Sequence, residues 1–467
     1  MASTLDPRKS GGNATITSRK AVPSTIKEFS IISNVTGKDV SILDGIIDFK
    51  YYESIMQNTV RVTVTYADTG VIKGDETGGK SVIEGLPLVG SEKCEVKFED
   101  NNKIIIGDKP KLTLFVNKVT PLIGDSRKSM VALELVSKEY LMNEKGCTRV
   151  VRRQNGKISD TVNNIFKDNL KTDKDYKDNI EITENNFNFI PNNKKPMYLL
   201  DWLSKKSVPE GKRGKSAGFF FWETYEGFHY KSIDSLLDKE KNKPKLSIIF
   251  NDTGDDRGKD MPAGYQVKAM RYEKGNGIDV QNKFKMGFQS TRIILFNPFN
   301  GYYEVVPTEA KTEEVDTAGK KLPQMSKELN CEGPGKDYTR TTYYIKDTGT
   351  LNSGDTAEEQ LKKSKEENFD FRLIENQAIR RYNQLYSSST TITLPATFSL
   401  HAGDTVFIDD ASLQVNTDND ERDKEHGGLY LISDLVHYLD GSGTWTKINV
   451  VRDSFGRKGK ASDTAGI

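Results

Sequence analysis

Residues 60–66 read Val-Arg-Val-Thr-Val-Thr-Tyr, a strict alternation that lets the segment bury only one side. In an extended chain successive side chains point to opposite faces. Val60, Val62, Val64 and Tyr66 therefore share one face, and Arg61, Thr63 and Thr65 share the other. A helix would scatter these residues around its circumference, so the segment predicts a strand in a sheet with one dry and one wet face. Further strands are predicted over Cys94–Phe98, Leu112–Val119 and Met130–Ser137, separated by Gly, Asp and Pro turns. Residues 25–137 thus read as one antiparallel sheet or barrel.

The chain has 467 residues, too many for one ordinary hydrophobic core, and a prior of about three domains follows. Hydrophobic residues make up 35% and charged residues 29%, which is polar, but 21 Phe and 19 Tyr are far too many for a disordered chain. Lys and Arg total 68 against 67 Asp and Glu, a net charge of +1. A general nucleic-acid binder would carry a basic excess, so that class is set aside. The N-terminus lacks the apolar core of a signal peptide and no apolar run approaches membrane-spanning length. Synthesis in a cytoplasm and no membrane insertion are expected. Cys94, Cys147 and Cys331 are odd in number and far apart, which fits reduced thiols.

Residues 1–24 are polar and rich in Ser, Thr and Gly, and read as a flexible arm. Residues 138–252 are mixed α/β. Ser159 is read as an N-cap for a helix carrying Val162, Ile165 and Phe166, and Pro196 as the first residue of a helix carrying Leu199, Leu200, Trp202 and Leu203. A hairpin follows, Phe219–Thr224 and Phe228–Ser232 about Gly227, and Leu246–Phe250 is expected to close this domain. Residues 253–285 and 373–453 form a second strand-rich block, with strands at Thr391–Leu394, Thr405–Asp409, Leu429–Val436 and Thr444–Arg452. Residues 286–372 form an inserted accessory domain, and a charged helix is expected over Thr356–Leu385. Residues 454–467 are a polar tail.

The two blocks echo each other. Leu114, Val116 and Val119 fall in register with Tyr430, Ile432 and Leu435, and after a turn Val131–Ser137 takes the place of Trp445–Val451. One chain carrying two copies of the same barrel is the expectation. Apolar Phe115, Tyr430 and Trp445 are placed on outer faces.

Residues for chemistry are scarce. Gly74-Asp-Glu-Thr-Gly-Gly-Lys80-Ser81 satisfies the pattern of a phosphate-binding loop, but that chemistry needs a helix after the loop, and Gly85 and Pro87 interrupt any helix within a turn. A loop between strands is the reading adopted. Pro209 spoils a near-match ending Gly211-Lys-Arg-Gly-Lys-Ser216, which reads as a solvated basic loop. His229, His401, His426 and His437 show no ligand spacing, and Arg422 and Asp423 break the calcium-loop pattern over Asp418–Asp423. Asp409 and Asp410 are adjacent in a strand and point apart. There is no nucleophile elbow. No catalytic, cofactor-binding or metal-ligating residue is nominated, and the chain reads as a non-enzyme.

The order of elements carries a resemblance. Leu86–Phe98 followed by Leu114-Phe-Val-Asn-Lys-Val119 looks like the opening barrel of contractile-tail hub proteins. Tyr198-Leu-Leu-Asp-Trp202 before Phe219-Phe-Phe-Trp222 is similar to the middle domain of phage hubs and type VI secretion spike proteins. Leu400–Ile408, Gly428–Ile432 and Trp445–Arg452 look like the ending of a second barrel. The chain most resembles the separate baseplate hub of T-even-like myophages. That resemblance implies a mainly β fold with α+β insertions: two tube-like antiparallel β-barrels, a mixed middle domain and an inserted accessory domain. It also implies a homotrimeric ring in the virion, between a sixfold tail tube and a threefold central spike. Wedge proteins would be neighbours, and tape-measure protein and DNA transient contacts in the channel. The hub of a type VI-like injection machine and a host-surface adhesin are the alternatives, and a cell-wall hydrolase is a third that would need a cleft with unlike carboxylates. Calorimetric titration of the protein with ATP and magnesium should give no heat of binding. Micromolar affinity abolished by Lys80→Ala would contradict the loop reading.

Overall fold

A computed structural model describes residues 24–68, 82–124, 129–211, 216–238, 240–250, 265–274, 279–287, 290–296, 303–309, 315–323, 326–329, 331, 336, 338–345, 371–409 and 425–459. The alternating segment lies in the fourth of eight strands: β1 (Thr25–Ile32), β2 (Asp39–Ser41), β3 (Ile46–Ser54), β4 (Arg61–Asp68), β5 (Lys93–Glu99), β6 (Ile105–Ile106), β7 (Leu112–Gly124) and β8 (Ser129–Val136). A single helical turn, α1 (Val82–Gly85), precedes β5. In space the strands run β3-β4-β8-β7-β5-β1-β2, with β6 beside β5, and every pairing is antiparallel. Val60, Val62, Val64 and Tyr66 are buried with Phe29, Phe49, Phe98 and Leu133, while Arg61, Thr63 and Thr65 stay on the half-exposed face.

The mixed segment holds α2 (Lys138–Met142), α3 (Ile158–Asn164), α4 (Pro196–Ser204), the hairpin β9 (Phe219–Thr224) and β10 (Gly227–Ser232), and α5 (Ile233–Leu237). Pro196 opens α4, where its missing N–H costs nothing. Ser159 does not cap α3. Lys157 stands at the N-cap, and the Thr183 hydroxyl accepts the Ser159 N–H from across the domain. The hairpin aromatics pack on the helices: Phe166 meets Tyr176, Phe221 and Phe228 at ring separations of 5.0, 5.8 and 5.1 Å.

Seven strands make the second block: β11 (Ser247–Ile249), β12 (Gln266–Lys268), β13 (Arg271–Lys274) and, after the insertion, β17 (Ser388–Pro395), β18 (Thr405–Asp409), β19 (Gly428–Asp440) and β20 (Thr444–Arg452). Between β13 and β17 come α6 (Val280–Met286), then within the insertion β14 (Ser290–Phe296), β15 (Tyr303–Glu309) and β16 (Arg340–Ile345), a separate sheet in the order β15-β14-β16, and then α7 (Phe371–Leu385), which leads back into the second block. The part of the expected charged helix before 371 lies outside the described residues. Leu246–Phe250, expected to finish the mixed domain, instead supplies β11 to the second block. It lies parallel to both β12 and β18, and Leu246 and Ile248 pack with Val406, Tyr430 and Ile448. An apolar run buried on both faces gives no period from which to assign its partner.

The two blocks repeat. Taken in chain order, β1, β2, β3, β4, β5, β7 and β8 correspond to β11, β12, β13, β17, β18, β19 and β20. Taken in space, β3-β4-β8-β7-β5-β1-β2 corresponds to β13-β17-β20-β19-β18-β11-β12. The register repeats as well. Phe115 faces Lys93 and Val136, and Leu431 faces Thr405 and Val451. Both 13-residue strands break register at one matching place, between Val116 and Lys118 and between Ile432 and Asp434. An extra residue there bends the strand and raises its twist. The sequence echo of Leu114, Val116 and Val119 with Tyr430, Ile432 and Leu435 is thus the structural one. Val131 matches Thr446, however, not Trp445. Tyr430 is buried, whereas Phe115 and Trp445 sit on the half-exposed face.

Two features depart from a pair of separate antiparallel barrels. The second block has parallel pairs at β11, and among the described residues neither block closes on itself. The blocks are instead one 15-stranded sheet, because β3 pairs antiparallel with β19 from Asp48↔Asp440 to Ser54↔Asp434. Leu133 and Ile448, matching residues fully buried in the two cores, should each lower the melting midpoint when truncated to Ala, at about 2–5 kcal/mol per site. Thr63→Ala on the wet face should cost under about 0.5 kcal/mol, all three read by differential scanning calorimetry.

Candidate assembly interface

The β3–β19 joint is the place where the three parts of the chain meet. Glu53 lies on β3 opposite Leu435, with a fully buried carboxylate. Four donors surround it: the Tyr51 hydroxyl at 2.7 Å, the Tyr225 N–H at 2.9 Å, the Ala402 N–H at 2.9 Å and the His401 Nδ1–H at 3.0 Å. Tyr225 belongs to the turn between β9 and β10, and His401 and Ala402 to the loop before β18. One carboxylate therefore ties the first block, the mixed segment and the second block. Burial alone would raise the Glu53 carboxyl, but the His401 charge and the ring of donors outweigh it and hold the group at about 2. Burial likewise opposes protonation of His401, and Glu53, Glu226 and Asp404 reverse it, raising the imidazole to about 9. The pair is ionised across neutral pH.

The backbone around the pair is fixed by shape. Trp222 of β9 donates its indole N–H to the Ala402 carbonyl at 2.9 Å. Gly403 has φ +91°, and a Cβ there would stand 2.5 Å from the Trp222 ring, so no other residue fits. Two further buried ionic contacts flank the joint. Glu223 of β9 accepts from the Val60 N–H at 3.0 Å, the Ser137 hydroxyl at 2.6 Å and the Lys174 ammonium, which also reaches Glu139 at 3.1 Å. Arg381 of α7 bridges Asp234 at 2.8 Å and Asp453 at 3.1 Å, binding the helix that leads into β17 to the mixed segment and to the end of the second block.

The histidines divide by partner. His229 and His437 bond hydroxyls of Thr224 and Thr446 and are pushed down to about 3 by burial, so both are neutral. Only His401 among the buried ones meets a carboxylate. Sequence spacing hides this, because His401 and Glu53 lie 348 residues apart. The one available signal is an acidic residue, Glu53, at a position that alternation assigns to the dry face of β3 with Phe49 and Tyr51.

Of the other sequence motifs, the Gly74–Ser81 loop and the Asp418–Asp423 run lie outside the described residues. The loop is preceded by β4 and followed by the four-residue α1, a single turn too short to present a helix N-terminus. Asp409 is paired with Arg457 at 2.6 Å. Cys94 is buried, and Cys147 and Cys331 are exposed. No group of three or more metal-ligating side chains occurs among the described residues, and no helix there is long and apolar enough to cross a membrane.

No family model and no curated protein matches the chain. Its structural neighbours are phage tail and baseplate proteins and type VI secretion spike-related proteins. The 43 kDa tail protein of prophage MuSo2 from Shewanella oneidensis is 13% identical, with a TM-score of 0.48 over 91% of this chain and 98% of that one. The tail protein from Neisseria meningitidis is 11% identical, with a TM-score of 0.46 over 91% and 96%. An E. coli component of the type VI secretion system is 8% identical, with a TM-score of 0.39 over 89% and 76%.

The Glu53–His401 pair gives a signed pH dependence. His401, raised to about 9 from 6.5, contributes fully below pH 6.5 and its contribution is lost as pH rises through 9. Glu53, lowered to about 2 from 4.5, contributes fully above pH 4.5 and loses this as pH falls through 2. The pair's own contribution should therefore be flat from pH 4.5 to 6.5 and fall between 6.5 and 9. His229 and His437, lowered to about 3 from 6.5, lose their contribution as pH falls below 6.5. The pair's signature is thus the fall of the melting midpoint above pH 6.5. Glu53→Gln should flatten that upper fall and cost about 3–5 kcal/mol at pH 6 by stranding His401. An unchanged pH slope in the variant would contradict the assignment.

Proposed function

We propose that this protein is the structural, non-enzymatic hub of a contractile phage tail baseplate, a ring of three copies between the sixfold tail tube and the threefold central spike. One observation carries the reading: a seven-strand unit occurs twice in the chain in the same chain order and spatial order, with matching register along the central strands and only β11 reversed in sense, and the two copies share one sheet. Two like units per chain are what an adapter between six and three requires, since three chains then present six similar units on one face and three whole chains on the other. In this reading each unit is one tube-like barrel element whose closure is completed in the ring. The residue resemblances over Leu86–Phe98, Tyr198–Trp222 and Leu400–Arg452 support the same assignment. The hub of a type VI-like injection machine would share this design and differ in its neighbours.

A hub is a passive conduit for DNA and tape-measure protein, and the half-exposed face of the sheet suits that use. It is rich in Thr and matches its charges in place: Lys50 with Asp48 at 3.0 Å, Lys93 and Lys111 with Glu95 at 2.7 and 2.8 Å, and Lys27 with Glu99 at 3.5 Å. Affinity for a nucleic-acid backbone grows with the number of uncompensated cations, and four lysines of this wall are paired off. Tube, spike and wedge proteins are the expected neighbours in the virion. Sizing with light scattering at several concentrations, with and without spike protein, should give a trimer, and interfaces of roughly 2,000 Å² or more per pair if obligate. A chain that stays monomeric beside spike and tube partners, or forms a closed dimer, would contradict the hub reading.

A further inference from the structure

One surface of the mixed segment is both cationic and apolar, and the contacts that tie the sheet together do not use it. Residues 150–157 run antiparallel beside residues 186–194, through bridges at Val150↔Lys194, Gln154↔Phe189 and Lys157↔Asn186. The inner side of this ribbon is closed. Val150 is buried, and Phe187 and Phe189 pack on Trp202 of α4 at ring separations of 5.4 and 5.1 Å. The outer side is open. Val151, Ile190 and Tyr198 are 60%, 63% and 53% exposed, and Arg152, Arg153 and Lys194 are exposed among them.

The ladder brings these residues together. One step along from Gln154↔Phe189, Arg153 falls beside Ile190, and one step along from Val150↔Lys194, Val151 falls beside Asn193. Tyr198 stands on the first turn of α4, and the Lys194 ammonium lies 5.5 Å from its ring centroid. Residues 149–157 carry four cations and residues 190–198 two, with no acid in either stretch. Two acids reach in from outside: Glu144 meets Lys195, and Glu210 meets Lys157 at 3.1 Å. The next acid along α4, Asp201, accepts from the Asn58 side chain at 2.9 Å. Arg152, Arg153 and Lys194 have no carboxylate partner among the described residues. The half-exposed face of the sheet is built the other way, with its lysines paired to neighbouring carboxylates.

We propose that this ribbon is a docking surface for an acidic, extended segment of a partner protein. Carboxylates of that segment meet Arg152, Arg153 and Lys194, and its apolar side chains cover Val151 and Ile190. The proposal goes beyond the ring reading and does not depend on it. Charge sets the sign of the partner: cations without counter-ions attract carboxylates, and an arginine fork holds a carboxylate through two bonds. Apolar surface sets its class. Two open aliphatic side chains gain from being covered by other apolar side chains, which a phosphate backbone lacks. Three phosphate contacts would supply little affinity at physiological salt, and Lys194 already lies over the Tyr198 ring that could stack a base. A lipid surface would draw on Trp, Phe and Leu, and Phe187, Phe189 and Trp202 are spent on the inner side.

The test titrates the full chain into a fluorescent peptide that alternates glutamate with valine, read by anisotropy. Saturable binding is expected. Arg152→Glu with Arg153→Glu should weaken it at least tenfold, and so should Val151→Ser with Ile190→Ser, which leaves the charge unchanged. All four side chains are exposed, so the melting midpoint should not move in either double variant. Absence of peptide binding would overturn the proposal, and so would an effect confined to one of the two double variants or to neither. Equal or tighter binding of single-stranded DNA of the same charge, or of vesicles of phosphatidylserine and phosphatidylcholine, would overturn it as well. The ring reading is scored on oligomeric state alone, so its failure and the failure of this surface are told apart.

Discussion

A carboxylate with no access to water must be surrounded by donors or it will not stay charged, and Glu53 satisfies that demand only when three distant parts of the chain are in place. Tyr51 comes from its own strand, the Tyr225 amide from the aromatic hairpin, and the His401 ring and Ala402 amide from the second unit. Misplacing any one strands a buried charge, at a cost comparable with the stability of a whole domain. The pair therefore acts as a registration device. It sits on β3 at the strand that joins the two units, so the angle between them is fixed at the point where any larger assembly would need it fixed. The contacts of Glu223 with Lys174 and of Arg381 with Asp234 and Asp453 extend the same logic to the mixed segment and to the helix that leads into β17.

Duplication explains the sheet's most unusual property, its two kinds of edge. Within the chain the joint between units is made once, between β3 and β19. Among the described residues β13 pairs with β17 alone, and residues 118–124 of β7 pair with β8 alone. The insertion between β13 and β17 breaks the second unit in sequence but not in space. Its helix α7 is anchored at Arg381, and its three-stranded sheet pairs only within itself among the described residues.

Much of this was legible in the residues. Alternation located β4 and assigned its faces, and Gly, Asp and Pro marked the turns around β5, β7, β8, β18 and β20. The aromatic hairpin and the helix opened by Pro196 also read correctly. The echo between Leu114-Phe-Val-Asn-Lys-Val119 and Tyr430-Leu-Ile-Ser-Asp-Leu435 was visible because apolar residues facing one core must recur with the pleat. What could not be read was anything long-range. Leu246–Phe250 carries no period to say which sheet it joins. Ser159 looked like a cap because its hydroxyl is local, whereas the group that accepts its N–H, Thr183, comes from elsewhere. The partnership of Glu53 with His401 has no local signature, and neither does the edge-to-edge fusion of the two units through β3 and β19.

End-on images of the purified assembly by electron microscopy test the central claim most directly. Three chains joined through like units should show six similar lobes around an open centre, with alternate lobes related by a true threefold axis. Three lobes without the intermediate pseudo-sixfold repeat, or a closed pair with no central opening, would contradict the account.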